Sequence, residues 1–137
     1  MSSRPQPVEA RSPLDVDRIF VRAMNEGDIE TIMSLYSEDT VFVQGPDKPD
    51  VTGLSNLRAL LLEFLAYDPT LSVELKQFVQ ADDIAFFSVR WILQGTDPGT
   101  GEPVTMTSAD GNVVRRQPDG SWKTLIDNPF HEEFLRS

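Results

Sequence analysis

The side chains best suited to chemistry in this sequence are carboxyls and amides near its C-terminal end. Cysteine is absent and histidine occurs once, which excludes a thiol nucleophile, a thiolate metal site and a multi-histidine metal centre. Alternation places Asp127 with Lys123 and Leu125 on one face of the last predicted strand, and Asp110 and Asn112 lie on the strand before it. A carboxyl that is buried among apolar groups has a raised pKa, which suits a general acid or base.

Composition narrows the class of protein. The chain has 137 residues, a formal net charge of −10 and 39% hydrophobic residues, which together indicate one ordinary globular domain. The acidic balance argues against nucleic-acid binding, which needs Lys and Arg against the phosphates. No apolar run approaches the roughly 20 residues of a membrane-spanning helix, so neither a nucleic acid nor a membrane is expected as a partner.

Three helices are predicted in the first half of the chain. The first begins at Ser12-Pro13 and ends by Gly27, because a capping serine and a first-turn proline precede an apolar stripe. That stripe contains Val16, Phe20, Ala23 and Met24. Asp28 caps a second helix that carries Tyr36 on its apolar side and is ended by Glu38-Asp39, and a third covers about 54–66.

The second half of the chain is predicted to consist of strands. A short strand over 40–43 precedes the third helix, and four further strands follow it. These cover 71–75 with a bulge-like break of phase at 77–78, then 84–95, 103–116 and 122–127. Helices first and strands afterwards favour an α+β fold, with the helices packed on one face of an antiparallel sheet.

The two ends of the chain are expected to lie outside this domain. Residues 1–12 are rich in proline and poor in apolar groups, so they are expected to form a flexible tail. One domain is then expected over 13–131, with a C-terminal tail over 132–137. The first residues lack the apolar segment of a secretory signal, which makes the cytoplasm the default location.

Six short motifs resemble those of one superfamily in their order along the chain. They are AMNEGD at 23–28, LYSED at 35–39, TG at 52–53, LSVEL at 71–75, WILQG at 91–95 and RRQPDGSW at 115–122. Over roughly 14–130 the chain thereby resembles the nuclear-transport-factor-two-like superfamily, within it the ketosteroid-isomerase-like and SnoaL-like (polyketide-cyclase-like) group. The resemblance implies a cystatin-like, cone-shaped α+β barrel. In it a curved antiparallel sheet of five or six strands wraps three helices and leaves an internal pocket.

The resemblance also lets the three catalytic roles of ketosteroid isomerase be carried over one at a time. The aspartate base falls on Gln44, whose amide does not accept a proton at neutral pH. The oxyanion tyrosine falls on Phe20, which cannot donate a hydrogen bond. The oxyanion aspartate falls near Asn112, with Asp110 as the alternative. Two of the three groups are therefore missing, which argues against steroid isomerisation by that mechanism.

The resemblance implies that the positions of Leu125 and Asp127 face the pocket. The candidate catalytic residues are Asp127, Asp110 and Asn112. The candidate substrate-binding residues are Phe20, Met24, Tyr36, Gln44, Leu61, Val89, Trp91 and Leu125. An alternative is that Asp127 caps the strand end through backbone amides, and Tyr36 can equally send its hydroxyl to a backbone carbonyl.

The predicted strand over 84–95 is apolar on both faces. Ile84, Phe86 and Ile92 lie opposite the face that the helices cover, so something else must bury them. The resemblance implies a homodimer through this outer face of the sheet; the alternative is that the C-terminal segment covers it.

Three functions follow as hypotheses. The first is an enzyme that transfers a proton on a small apolar organic molecule without cofactor or metal, by isomerisation, cyclisation, dehydration or epoxide opening. Asp127 is the base in that hypothesis. The second is a non-catalytic binder of such a molecule, and the third is an association module of the same fold.

Overall fold

The computed structural model describes residues 9–136 of the chain. It contains four helices and seven strands in that range. The helices are α1 (Pro13–Glu26), α2 (Ile29–Ser34), α3 (Leu54–Leu65) and α4 (His131–Arg136). The strands are β1 (Tyr36–Phe42), β2 (Val51–Thr52), β3 (Thr70–Ala81), β4 (Ile84–Thr96), β5 (Pro103–Ala109), β6 (Gly111–Arg116) and β7 (Trp122–Asn128).

Local signals set the ends of the first two helices. The Ser12 N–H donates to Asp15 Oδ2 at 3.1 Å, which fixes the first turn of α1. Gly27 ends α1 with a left-handed φ of 70°, and Asp28 Oδ1 accepts the Thr31 N–H at 3.1 Å to begin α2. No helix in residues 9–136 combines the length and the apolar character that crossing a bilayer requires.

The predicted α+β fold is confirmed. The sheet is curved and unclosed, with the strand order β2-β1-β7-β6-β4-β3, and β5 also pairs with β4. All pairings are antiparallel except that of β1 with β7. The helices α1 and α3 cover one face of this sheet, and the predicted inner face of β4, from Phe87 to Leu93, is buried there. The short helix α4 contacts β5 instead, and its Glu132 pairs with Arg90 on the other face of β4. A hollow cone results, closed on one side by α1 and α3.

The single strand predicted over 103–116 is divided at Asp110, and the reason is the hydrogen bonding of that residue. Its N–H donates to the Val89 carbonyl at 2.9 Å, its Oδ1 accepts the Val89 N–H at 2.8 Å, and its carbonyl accepts the Ser88 hydroxyl at 2.6 Å. The side chain thus replaces a backbone partner. β5 and β6 therefore pair with different stretches of β4.

Within residues 9–136 three shifts of register shape the strands, and one of them lies between Tyr36 and Val41, where β1 pairs with β7. The predicted break of phase in β3 is confirmed, because the pairing with β4 shifts between Leu75 and Gln77. The shift between β6 and β7 was not predicted. Val113 pairs with Ile126 but Val114 pairs with Thr124, so that Leu125 has no partner on β6. This bulge changes which residues of β7 point inward.

The ends of several elements differ from the sequence-based expectations. α2 stops at Ser34 and Tyr36 begins β1, where it pairs with Thr124. Ala10 is 1% exposed and its carbonyl accepts the Trp122 N–H at 2.8 Å, so the expected flexible tail does not extend over 9–12. Residues 132–136 belong to α4 rather than to a tail, while 1–8 and 137 lie outside the described residues.

Candidate functional site

A cavity of about 90 Å³ lies between α1, α3 and the concave face of the sheet. Its wall is mostly aliphatic and aromatic. The apolar lining consists of Val16, Phe20, Met24, Phe42, Leu61, Phe64, Leu71, Val73, Phe87, Val89, Trp91, Leu93, Pro129 and Phe130. Six residues add polar groups, namely Asp17, Tyr36, Asp110, Asn112, Thr124 and Asp127. An apolar cavity with a few convergent polar groups is the usual form of a small-molecule site.

Asp127 and Tyr36 form a buried hydrogen-bonded pair in this wall. The Tyr36 hydroxyl donates to Asp127 Oδ2 at 2.7 Å, which the neighbouring positions of β1 and β7 allow. Burial raises the pKa of Asp127 to about 6, the Tyr36 hydrogen bond lowers it, and the charge of Asp17 raises it further. Burial, followed by the charge of Asp127, holds the pKa of Tyr36 well above its usual value of 10.0.

Asp110 and Asn112 lie beside this pair at the start of β6. Burial raises the pKa of Asp110 to about 7; the Val89 N–H opposes this, and the charge of Asp127 adds to it. Asn112 is 7% exposed and lies directly opposite Asp127 across β6 and β7. The break between β5 and β6 therefore brings a carboxyl and an amide into the cavity two residues apart.

Asp17 is a third carboxyl in the cavity, and sequence reasoning did not single it out. It lies on α1 one turn before Phe20, and both side chains line the cavity. Burial raises its pKa to about 6. The available signal was its position on the apolar stripe of α1, three residues before Phe20 and seven before Met24.

Most of the residues predicted to form the site lie together. Asp127, Asp110 and Asn112 all line the cavity. So do six of the residues predicted to bind substrate, namely Phe20, Met24, Tyr36, Leu61, Val89 and Trp91. Their roles in binding or catalysis stay predictions, but their common location is a feature of the fold.

Two residues predicted to bind substrate lie elsewhere. Gln44 follows β1 in a loop, where its Nε2 donates to the Pro49 carbonyl at 3.0 Å beside a separate surface groove. Leu125 is the unpaired residue of the β7 bulge, so Thr124 and Asp127 face the cavity in its place. The prediction for Leu125 was wrong because simple alternation does not hold across a bulge.

The side chains of Asp127 and Tyr36 are hydrogen-bonded to each other rather than to the backbone. The Asp127 side chain accepts the Tyr36 hydroxyl, and its backbone carbonyl accepts the Val43 N–H at 2.8 Å. The Tyr36 hydroxyl therefore has a carboxylate partner rather than a backbone one. Trp91 donates its indole N–H to the Pro129 carbonyl at 2.7 Å and meets Phe130 edge-on, with 5.7 Å between ring centroids. Both rings line the cavity.

The chemical character of the cavity is acidic and apolar. Among the residues that the structure describes, its lining contains three carboxyls and no Lys, Arg or His. Nowhere in residues 9–136 do three acidic or histidine side chains converge closely enough to hold a metal ion. The groups present can accept, donate and hold protons, and they can hydrogen-bond a ligand.

Solved structures share this fold at low sequence identity. A ketosteroid isomerase-like protein from Erwinia carotovora atroseptica is 24% identical, with a TM-score of 0.72 over 82% of this chain and 88% of that one. A nuclear transport factor 2-like superfamily protein from Salmonella enterica is 14% identical, with a TM-score of 0.73 over 83% and 84%. A candidate calcium/calmodulin-dependent protein kinase II association domain from Xanthomonas campestris is 18% identical, with a TM-score of 0.70 over 93% and 90%.

The sequence itself assigns the family. No protein of curated function matches this chain, but the SnoaL-like domain matches residues 17–124. That range begins at the Asp17 carboxyl on α1, ends at Thr124 on β7, and contains most of the cavity wall. Together with the curved sheet and its helices, this match places the chain in the SnoaL-like domain family.

Proposed function

We propose that this chain binds a small, largely apolar organic molecule in the cavity and moves a proton on it without a cofactor. The observation that carries the proposal is the buried Tyr36–Asp127 hydrogen bond in the wall of an otherwise apolar cavity. A polar pair in such a place costs free energy that a purely structural wall would avoid.

The pKa values of the cavity carboxyls suit complementary roles. With a pKa of about 6, Asp127 is mostly ionised at neutral pH, yet it is a stronger base than an exposed carboxylate. With a pKa of about 7, Asp110 is protonated in about half of the molecules at neutral pH. Two carboxyls whose environments separate their pKa values are a common basis for acid and base assignments.

The proposed step is a proton transfer across the ligand. Asp127 takes a proton from a carbon or oxygen of the bound molecule, and the Tyr36 hydroxyl stays hydrogen-bonded to the carboxyl during the transfer. Protonated Asp110 gives its proton to the ligand oxygen on which negative charge develops. Asn112, on the same part of the wall, orients that oxygen. The ligand gives one proton to Asp127 and takes one from Asp110, and the two carboxyls then return to their starting states by exchanging protons with water. The net change is a proton moved from one ligand atom to another, which fits an isomerase, or a dehydratase if the protonated oxygen leaves as water.

The volume of the cavity limits the size of the ligand. Its volume of about 90 Å³ is smaller than the roughly 150 Å³ cavity that holds benzene in a well-studied case. It also presents Phe20 rather than a tyrosine on the helical wall. The small volume favours a ligand of few heavy atoms over a steroid, and Phe20 lacks the hydroxyl that would hydrogen-bond a steroid's carbonyl oxygen.

Deuterium exchange tests the proposal once a ligand is in hand. A thermal-shift screen of small apolar compounds identifies ligands, which are then incubated with the protein in D₂O and analysed by mass spectrometry. The proposal expects deuterium in the ligand and a loss of about 100-fold or more in the exchange rate for Asp127→Asn. Asp47→Asn is the matched control, because Asp47 is exposed and lies outside the cavity.

Two results would revise this proposal in different ways. Tight binding with no exchange in the wild type indicates a non-catalytic binder, which was the second hypothesis. Exchange that Asp127→Asn leaves unchanged rejects Asp127 as the base.

Self-association through the outer face of the sheet is a second proposed function. Val79, Phe86, Val113 and Ile126 lie opposite one another in turn across β3, β4, β6 and β7, so they form one apolar row on one face. Val79 is 53% exposed and Ile126 is 39% exposed. The association domain named for the Xanthomonas campestris relative is consistent with assembly on this fold.

Light scattering tests this pairing directly. We expect a dimer for the wild type and a monomer for Ile126→Lys, because a lysine in the row places an unpaired charge in the interface. Leu62→Lys is the matched control, since Leu62 is 44% exposed on α3. A monomeric wild type contradicts the proposal.

A further inference from the structure

We propose that Asp17 is the specificity-determining residue of this cavity, and that its carboxylate selects ligands that carry a protonated amine. The inference rests on the proposed function, because it names the class of molecule that the same cavity takes.

The first support is the hydrogen bonding of the three cavity carboxyls. Asp127 is bonded to Tyr36, and Asp110 is bonded to the Val89 N–H. The Asp17 side chain has no hydrogen bond or ion pair within residues 9–136, whereas its neighbour Arg18 pairs with Asp15 outside the cavity. Asp17 is therefore the cavity carboxyl with neither oxygen engaged by a protein group in this range, so both oxygens are available to a ligand.

The second support is the balance of charge inside the cavity. Within residues 9–136 no cationic side chain lines it, while Asp110 and Asp127 face the same space as Asp17. An anionic ligand is therefore repelled by those of the three carboxyls that are ionised. A neutral ligand offers at most a hydrogen bond. A protonated amine supplies the missing positive charge, and a buried charge pair with good hydrogen bonding is far less costly than a lone buried charge.

The third support is the aromatic character of the wall. Phe20 lies one turn from Asp17 on α1, and Phe64 and Trp91 line the same cavity. Ring faces attract cations, and the attraction grows when both partners are shielded from water. The cavity thus combines a free carboxylate with aromatic faces, which is a pairing suited to an organic ammonium group.

The positions of the three carboxyls also set the orientation of the ligand in the cavity. Asp17 projects from the helical wall, whereas Asp127 and Tyr36 project from the sheet. A ligand held by its ammonium group at Asp17 points its apolar part toward the Tyr36–Asp127 pair. The reacting atom is then expected a few bonds away from the nitrogen.

Calorimetry with matched small molecules tests the inference. The probes are isobutylamine, isobutanol and isobutyrate, which share one apolar part, and the larger set benzylamine, benzyl alcohol and benzoate. The measurements are made at pH 8, where both amines are protonated and Asp17, with a pKa of about 6, is ionised. We expect the amine of a set to bind about 10- to 100-fold more tightly than the alcohol, as a hydrogen bond to a charged group allows, and the carboxylate not to bind.

Variants at position 17 test whether the preference for amine over alcohol depends on the Asp17 side chain. Asp17→Asn and Asp17→Ser should abolish the preference for amine over alcohol while the alcohol still binds, and Asp47→Asn should leave it unchanged. Equal binding of amine and alcohol by the wild type, or a preference that survives in both Asp17 variants, overturns the inference and leaves the small-molecule site standing. Failure of all six probes also overturns it. The separate thermal-shift screen then decides whether the proposed function fails with it.

Discussion

Replacing Asp127 with asparagine should stabilise the folded protein at high pH and leave its stability nearly unchanged at low pH. Asparagine has almost the same shape, and its Oδ1 can still accept the Tyr36 hydroxyl. What the substitution removes is the charge that Asp127 carries when it is ionised inside an apolar cavity. The substitution therefore isolates the free-energy cost of burying that charge.

The magnitude follows from the pKa of Asp127, which is about 6 in the folded protein against an ordinary value of 3.8. The folded state binds the proton more tightly than the unfolded state does, so the free energy of unfolding falls as pH rises between these two values. Above pH 6 the full cost is present, and the pKa difference corresponds to about 3 kcal/mol. Well below pH 3.8 the carboxyl is protonated in both states and the cost vanishes, and at pH 4 about 0.5 kcal/mol of it remains.

Urea unfolding of wild type and Asp127→Asn at pH 4 and pH 8 measures this effect. The expected gain at pH 8 is up to about 3 kcal/mol, or a rise in Tm of about 10 °C for a domain of this size. Asp47→Asn should change the free energy of unfolding by less than about 0.5 kcal/mol at either pH. A variant that is destabilised equally at both pH values would refute the reasoning, since the carboxyl would then act through a native contact and not through its charge.

Two further substitutions test the structure around the cavity. Tyr36→Phe removes the hydrogen bond that lowers the pKa of Asp127, so carboxyl ¹³C NMR should show that Asp127 titrates clearly above pH 6; an unchanged or lower titration would contradict the pairing. Gly95→Ala would place a Cβ 2.6 Å from the Tyr67 carbonyl oxygen. Thermal unfolding should show a loss of about 1–3 kcal/mol, as overpacking usually gives, and a fully stable variant would contradict the close approach of these two backbones.

Much of the fold could be predicted from the sequence because its signals are local. Capping at Ser12 and the stop at Gly27 define α1 within a residue, and the helical period correctly assigns Phe20 and Met24 to the inner face. The alternation along 84–95 likewise separates the buried residues of β4 from the exposed ones. These are patterns that a few neighbouring residues determine, and tertiary packing agrees with them.

The sequence-based predictions fail where one side chain or one extra residue interrupts the regular alternation or pairing of a strand. Asp110 divides a predicted strand because its carboxyl bonds the backbone of a strand distant in sequence. Leu125 is misplaced because a bulge in β7 depends on pairing with β6. Gln44 was carried over by counting without gaps from Tyr36, and it lands in a loop beyond the end of β1. None of these effects has a signal in the local sequence.

The carboxyls of the cavity lower the stability of the folded protein when they are ionised. Burial raises the pKa of Asp110 to about 7, which corresponds to a cost of about 4 kcal/mol when the group is ionised, and Asp127 adds a cost of similar size. Single domains are typically stable by only about 5–15 kcal/mol. Asparagine at either position keeps the shape, can accept the same hydrogen bond and avoids the charge. A wall that served only to support the sheet would therefore be more stable with amides there, and the presence of ionisable groups at this cost points to a task that needs their protons.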